Sequence, residues 1–254
     1  MKQYYGPVVV LLEDDGHDTL EWAAAEAATR GAELRIVYAF RWQHLLDAAG
    51  NLAVDLRIRE AAEAVVSSAI EHVQRIFPSL RMSSTVFPGR QLDALLNEAK
   101  ESTGALIVVG HGRRFERTLA RRLARRTTAS LAVVGLTSDH AAGPSIGRVV
   151  VAVDGNGRSD ALGFAFGAAR RRGTGLTILQ TGDGEDPVAA WQTAYPEVDV
   201  RRSSVSGTVA SAVLAESAAA ALTVLTADRG WLQHAGDDSA ATVLRLARGP
   251  VVLV

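Results

Sequence analysis

The sequence turns on residues 8–16, Val8-Val9-Val10-Leu11-Leu12-Glu13-Asp14-Asp15-Gly16. Five consecutive apolar residues, rich in β-branched side chains, describe a strand buried on both faces, and the acids and glycine that follow describe its end. From Asp18 the apolar spacing becomes helical. Leu20, Ala23, Ala24 and Ala27 share one face, Asp18 is the expected N-cap, and Gly31 is placed to end the helix. Leu34 to Phe40 then reads as a second strand, which completes a right-handed βαβ unit.

The same order returns 141 residues later. Val149-Val150-Val151-Ala152-Val153 runs into Asp154-Gly155-Asn156-Gly157, a helix carries Leu162, Ala165 and Ala169, Gly173 closes it, and Leu176 to Leu179 follows. Both halves also end alike. Leu106-Ile107-Val108-Val109 and Ser130 to Val134 correspond to Leu222-Thr223-Val224-Leu225 and Pro250 to Val254, at an offset reduced to about 116–120. An offset shared over so many residues is the signature of an internal repeat. The second copy is shorter because it lacks an amphipathic helix of about Asp55 to Ile76, which sets Ala62, Val65, Val66, Ala69 and Val73 on one face. The nearest counterpart is the short Pro187 to Tyr195. Residues 1–138 and 147–254 are therefore read as two domains, joined by the Ser-, Gly-, Pro- and Ala-rich stretch Leu136 to Gly147.

Alternating strands and helices imply, for each copy, an α/β, mostly parallel open sheet covered on both faces. Such sheets bind ligands beyond the carboxyl ends of the strands, where the strand order reverses. That rule places Glu13, Asp14, Gly110, His111 and Gly112 at one mouth, and Asp154, Gly155, Asn156 and Thr226 to Gly230 at the other. The terminal strands Ser130 to Val134 and Val251 to Val254 are apolar and are expected to be paired rather than left as open edges.

The chain resembles a tandem universal stress protein of the UspA-like family. The resemblance rests on Val149 to Asn156 followed by Ser159 and Ala161-Leu162. It rests also on Gly89 and Gly207, each opening a helix with Leu95-Leu96 or Val213-Leu214, on the Ala105 to Gly110 strand, and on the terminal Gly249-Pro250-Val251-Val252-Leu253-Val254. It covers nearly the whole chain, twice. It implies, for each domain, a doubly wound parallel sheet of about five strands in an adenine-nucleotide α-hydrolase-like, Rossmann-type fold, whose last strands pair two such domains back to back, here as a pseudo-dimer within one chain. It also implies a stress-response protein that binds and regulates rather than catalyses, with no catalytic residue expected. The alternatives are a switch that binds ATP at both mouths and a slow ATP hydrolase.

ATP-binding members of that family have a Gly-x-x-Gly, nine residues, Gly-Ser/Thr loop after the fourth strand and an aspartate after the first. Glycines let backbone N–H groups approach phosphate, and the following helix presents its positive end. In the first copy the aspartate is represented by Glu13 or Asp14, Gly110 and Gly112 are two apart rather than three, and the closing pair falls on Arg117-Thr118. In the second copy Asp154 is well placed, but the loop is Thr226-Ala227-Asp228-Arg229-Gly230 and the closing pair falls near Asp237-Asp238. An aspartate 4 Å from a phosphate charge costs about 1 kcal/mol in water and about 4 kcal/mol at an effective dielectric near 20. ATP is accordingly expected to bind weakly or not at all, and in the first copy if anywhere.

The first copy has the opposite electrostatics. Seven arginines lie between Arg113 and Arg126, and on a helix Arg114, Arg117, Arg121 and Arg125 would share one side. As a whole the run describes a solvated face balanced by acids elsewhere. Arg113 and Arg114 are the two placed to hold phosphate where the glycine loop is lost, with Thr118 beyond them.

Composition bounds the rest. The 254 residues are 48% hydrophobic and 22% charged, with a net charge of −1 and no cysteine. This excludes disorder, disulfides and thiolate chemistry, and nothing in the charge balance points to nucleic acid. No apolar run approaches the roughly 18 residues a membrane span needs, and MKQYYGP lacks the apolar core of a secretory signal, so a cytoplasmic location is expected. His111 between two glycines reads as a loop histidine. The six histidines show no i, i+4 pair among themselves and no His-Glu-x-x-His spacing, so no metal is expected. Trp42, Trp191 and Trp231 are expected to cover a sheet or an interface. The partner is expected to be a protein, with pairing of domains inside the chain and a homodimer open beyond it.

Overall fold

The computed structural model describes residues 6–13, 17–41, 44–46, 52–54, 56–111, 119–135, 147–154, 159–181, 188–205, 208–226, 239–247 and 249–254. They form two compact units, Met1–Gly110 with Thr118–Ala129, and His111–Arg117 with Ser130–Val254. The first contains β1 (Val8–Leu11), α1 (His17–Arg30), β2 (Leu34–Phe40), β3 (His44–Leu46), β4 (Leu52–Val54), α2 (Leu56–Ile76), β5 (Met82–Pro88), α3 (Gln91–Glu101), β6 (Leu106–Gly110) and α4 (Leu119–Ala124). The second contains β7 (Ser130–Val134), β8 (Val149–Asp154), α5 (Ser159–Arg172), β9 (Leu176–Thr181), α6 (Val188–Ala194), β10 (Val200–Ser204), α7 (Val209–Ser217), β11 (Leu222–Leu225), α8 (Ser239–Leu246) and β12 (Val251–Leu253).

In the first unit the strands lie in the order β5-β2-β1-β6, all parallel. All four residues of β1 are buried although successive side chains point to opposite faces, so both faces of the sheet are covered. The covering layers are α1 with α2, and α3 with α4. In the second unit the order β10-β9-β8-β11-β12 is again parallel, with β7 added antiparallel on β12. Val133, Ala132 and Leu131 stand opposite Val251, Val252 and Leu253, so these two apolar strands, which close the two sequence repeats, pair with each other.

The repeat is exact at the level of register. Val8 stands between Leu34 and Leu106, and Val149 stands between Leu176 and Leu222. Helix endings repeat too. Gly31 (φ 63°) and Gly173 (φ 61°) occupy the left-handed region. Around them Gly31 N–H and Ala32 N–H donate to the carbonyls of Ala28 and Ala27, and Gly173 N–H and Thr174 N–H donate to those of Arg170 and Ala169. Each is a Schellman closure, and glycine supplies the backbone geometry that a side chain would oppose.

Three local expectations change. α1 begins at His17, so Asp18 lies in its first turn, where an acid favours the positive end of the helix. On α2 the buried stripe is Ala62, Val66, Ala69 and Val73, whereas Val65 is 40% exposed, because it falls beside the stripe rather than on it. Between β2 and α2, in a stretch where no strand is expected from the sequence, β3 and β4 pair as an antiparallel hairpin.

One polar cluster is carried through both repeats in altered form. Glu98 on α3 is buried and meets Arg35 Nη1 on β2 at 3.4 Å and the Thr85 hydroxyl on β5 at 3.1 Å. Its counterpart Glu216 on α7 is also buried, but its arginine is Arg201 on β10, at 4.0 Å. Arg35 pairs in register with Ser83, and Thr177 with Arg201, so the cation has moved one strand across while the acid has stayed. A buried carboxylate requires a cation within reach, and either neighbouring strand can supply it.

Glu33 borders the cluster. Its carboxyl is held below the ordinary range first by the hydrogen bond from the Ser83 hydroxyl at 2.6 Å, then by Arg35 and Arg81, against an opposing effect of burial. A depressed acid contributes stability above its unfolded-state value and loses it as pH falls through the folded-state value. Ser83→Ala is therefore expected to move the Glu33 titration upward. The stability gap between wild type and variant should be full near neutrality and close on acidification. Side-chain NMR titration of Glu33 checks this, and an unmoved midpoint would show that the serine does not set it.

Candidate functional site: the mouth of the first unit

With β1 between β2 and β6, the strand order of the first unit reverses at the β1/β6 junction, the place where open α/β sheets bind ligands beyond the carboxyl ends of their strands. Three described side-chain positions meet there. Glu13 follows β1, Gly110 ends β6, and Thr19 lies buried in the first turn of α1. A Cβ placed on Gly110 would stand 3.0 Å from Glu13 Oε2 and 3.1 Å from Thr19 Oγ1. Any side chain there would have to displace the carboxylate or the hydroxyl. The glycine is thus required by close approach, and it leaves bare backbone under an acid and a hydroxyl. Ionised, Glu13 only accepts hydrogen bonds, whereas Thr19 both donates and accepts. Such a mouth suits a ligand that carries hydroxyl or amine donors.

The structure brings together Glu13 and Gly110 of the residues expected at this mouth, and adds Thr19. Sequence gave no sign of Thr19, which reads as an ordinary first-turn residue beside Leu20. Asp14, Gly112, Arg113, Arg114 and Thr118 lie outside the described residues. At the second mouth Asp154 ends β8, its backbone in register with Thr181, and its side chain lies outside what is described, as do Gly155, Asn156 and Gly230. His111 N–H donates to the Val134 carbonyl at 2.9 Å, an anchor at the carboxyl end of β7.

Of the seven arginines in the run, Arg113, Arg114 and Arg117 lie outside the described residues. Of the four described, α4 holds Arg121 and Arg122, anchored by buried Ala120 and Leu123. Arg126 N–H and Thr127 N–H both donate to the Leu123 carbonyl, which ends the helix and puts Arg125 and Arg126 in the following turn. Arg122 and Arg126 help hold the Asp93 carboxyl on α3 below its ordinary range, though the main cause is its hydrogen bond from Arg90. Part of the cluster is therefore balanced by an acid, as a solvated helix face would be.

No protein-family model matches the chain, and no curated protein matches it. Solved structures do. A universal stress protein from Archaeoglobus fulgidus DSM 4304 superposes with a TM-score of 0.72 at 18% identity, over 98% of this chain and 95% of that one. A functionally unknown protein from Pseudomonas aeruginosa PAO1 superposes with a TM-score of 0.62 at 14% identity, over 98% and 92%. At such identities the likeness shows the fold, and it spans both repeats. Among the described residues no helix is long and apolar enough to cross a membrane.

Proposed function

We propose that this chain is a binding and regulatory protein of the universal-stress type, formed by repeats 1–138 and 147–254, whose ligand site is the mouth of the first repeat. The observation that carries the reading is the Glu13, Thr19 and Gly110 arrangement at a strand-order reversal, in a fold whose full-length likeness is to a universal stress protein. The ligand is an adenine nucleotide held weakly. Its phosphates lie toward Arg113 and Arg114, which follow directly from the end of β6 and could bind them through side chains in place of a glycine loop. The second mouth, where Asp154 is followed by Asp228, Asp237 and Asp238, disfavours phosphate by charge. Signalling then proceeds through association with a protein partner, the two repeats forming an internal pair. The pairing of β7 with β12 supports that pair, since it joins the closing strands of both repeats.

Calorimetric titration with ATP tests the reading. One ATP per chain is expected, and Arg113→Ala/Arg114→Ala should weaken it at least about tenfold, since hydrogen bonds to a charged group contribute about 1.5–3 kcal/mol each. Equal affinities would remove the arginine clamp. Two ATP per chain would favour a switch that uses both mouths.

A further inference from the structure

β5 is the outermost strand of the first unit, and among the described residues its only strand neighbour is β2. Leu34 N–H donates to the Arg81 carbonyl, and Gly89 N–H donates to the Phe40 carbonyl. Along a parallel strand the N–H and C=O of one residue point to the same side, and the side alternates from residue to residue. The odd-numbered residues of β5 therefore bond β2, and Met82, Ser84 and Val86 aim their backbone groups away from the sheet. Pro88, the next outward position, has no N–H and closes the open stretch, as proline does at sheet edges.

Open edges are normally guarded by charge. β10, the outermost strand of the second unit, conforms, since Arg201 and Arg202 are both exposed on it. β5 carries no charged residue, and its Ser83, Ser84 and Thr85 are exposed. Its sequence is also complementary to itself about a two-fold axis at Ser84. Antiparallel pairing there sets Met82 opposite the partner's Val86 and Ser84 opposite the partner's Ser84. These are the residues whose backbone groups point outward, so each pair exchanges hydrogen bonds. Half-buried apolar side chains then meet one another on one face. On the other, Ser83 falls opposite the partner's Thr85, small beside small, and both hydroxyls already donate to Glu33 and Glu98. Arg81, just before the strand, comes opposite the partner's Phe87. The two Arg81 positions fall at opposite ends of the ladder, about 20 Å apart at the usual rise per residue, so no like charges face each other.

We propose that the outer edge of β5 is the surface through which this chain pairs with a second copy of itself, by antiparallel strand addition about a two-fold axis at Ser84. A two-fold interface uses the same patch on both copies, and a strand complementary to itself meets that requirement. The inference stands apart from the ligand reading, because Glu13, Thr19 and Gly110 lie on other elements.

The experiment is sedimentation equilibrium of the full chain from micromolar to millimolar concentration, where a monomer–dimer equilibrium is expected. Ser84→Lys sets two like charges opposite each other at the axis and should weaken the dimer at least about tenfold. Val86→Pro removes an outward N–H while leaving the bonds to β2, and should act in the same direction. Ser204→Lys on the edge of β10 should dimerise like wild type. The chain has no cysteine, so Ser84→Cys reports the register. Hydrogen-bonded antiparallel pairs have Cα atoms about 5.5 Å apart, within the span of a disulfide. Oxidised glutathione should therefore link two copies of Ser84→Cys and leave Ser204→Cys unlinked. Circular dichroism verifies that the variants keep the fold. A monomer at every concentration, a dimer that Ser84→Lys and Val86→Pro leave unchanged, or equal linking of both cysteine variants would each overturn the assignment.

Discussion

Alanine at Phe166 is expected to destabilise the second unit by about 3–5 kcal/mol, the usual cost of deleting a buried phenyl ring. Phe166 on α5 is 0% exposed. Its ring stacks on Trp191 with centroids 6.2 Å apart and lies 5.7 Å from Tyr195, and Trp191 and Tyr195 are 6.1 Å apart. Arg170 sits over the Tyr195 ring at 5.8 Å. The cluster compensates for the shortened repeat. Aligning Gly31 with Gly173 puts Phe166 where the first repeat has the equally buried Ala24, on the helix that the long α2 contacts. The second repeat has only the seven-residue α6 there, and aromatic bulk fills the space. Gly163 completes the fit, since a Cβ at that position would come within 2.7 Å of the Trp191 ring. Each aromatic pair adds about 0.5–1.5 kcal/mol beyond area burial. Urea unfolding followed by tryptophan fluorescence measures the effect. A loss below about 1 kcal/mol would mean that the cluster collapses to refill the hole, and the volume argument would fail.

Removal of the Glu26 carboxylate should cost the first unit a similar amount. Glu26 Oε1 and Arg30 Nε, one turn apart on α1, meet at 2.5 Å with their side chains only 1% and 3% exposed. Breaking a buried pair by deleting one partner costs about 3–5 kcal/mol, because the remaining charge stays desolvated after losing its ion-pair partner. Glu26→Ala is therefore expected to be severe and Glu26→Gln milder, while Glu26→Leu/Arg30→Met should be near neutral. Chemical denaturation of the three variants distinguishes this from a helix-propensity effect, which would favour alanine over glutamine. The second repeat has Ala168 at the matching position, so the pair belongs to the first unit and is no requirement of the fold.

These two sites illustrate what sequence could and could not reveal. Phe166 could be assigned to a helix but not to an aromatic cluster, because its partners lie on another helix. Glu26 has the appearance of a surface residue, since a carboxylate four residues before an arginine is the usual solvated helix pair. Its burial follows only from what packs above it. At the candidate site, Glu13 and Gly110 were legible as strand ends, and the reason Gly110 must be glycine was not. That reason is a contact among three segments separated by up to about a hundred residues. Val65 shows the same limit at smaller scale, being one residue off a stripe whose centre is set by the sheet beneath.

Sequence alone determined the βαβ order, its repetition, the glycine closures of α1 and α5, and the absence of a long second helix in the later copy. Each is written in local periodicity or turn chemistry, which act over a few residues. Tertiary structure alone decided that β7 and β12 pair antiparallel, that Glu98 and Glu216 take their arginines from different strands, and that β5 ends its sheet. Those outcomes depend on which distant surfaces are brought into contact, and the free energy of such contacts belongs to pairs of segments rather than to either one.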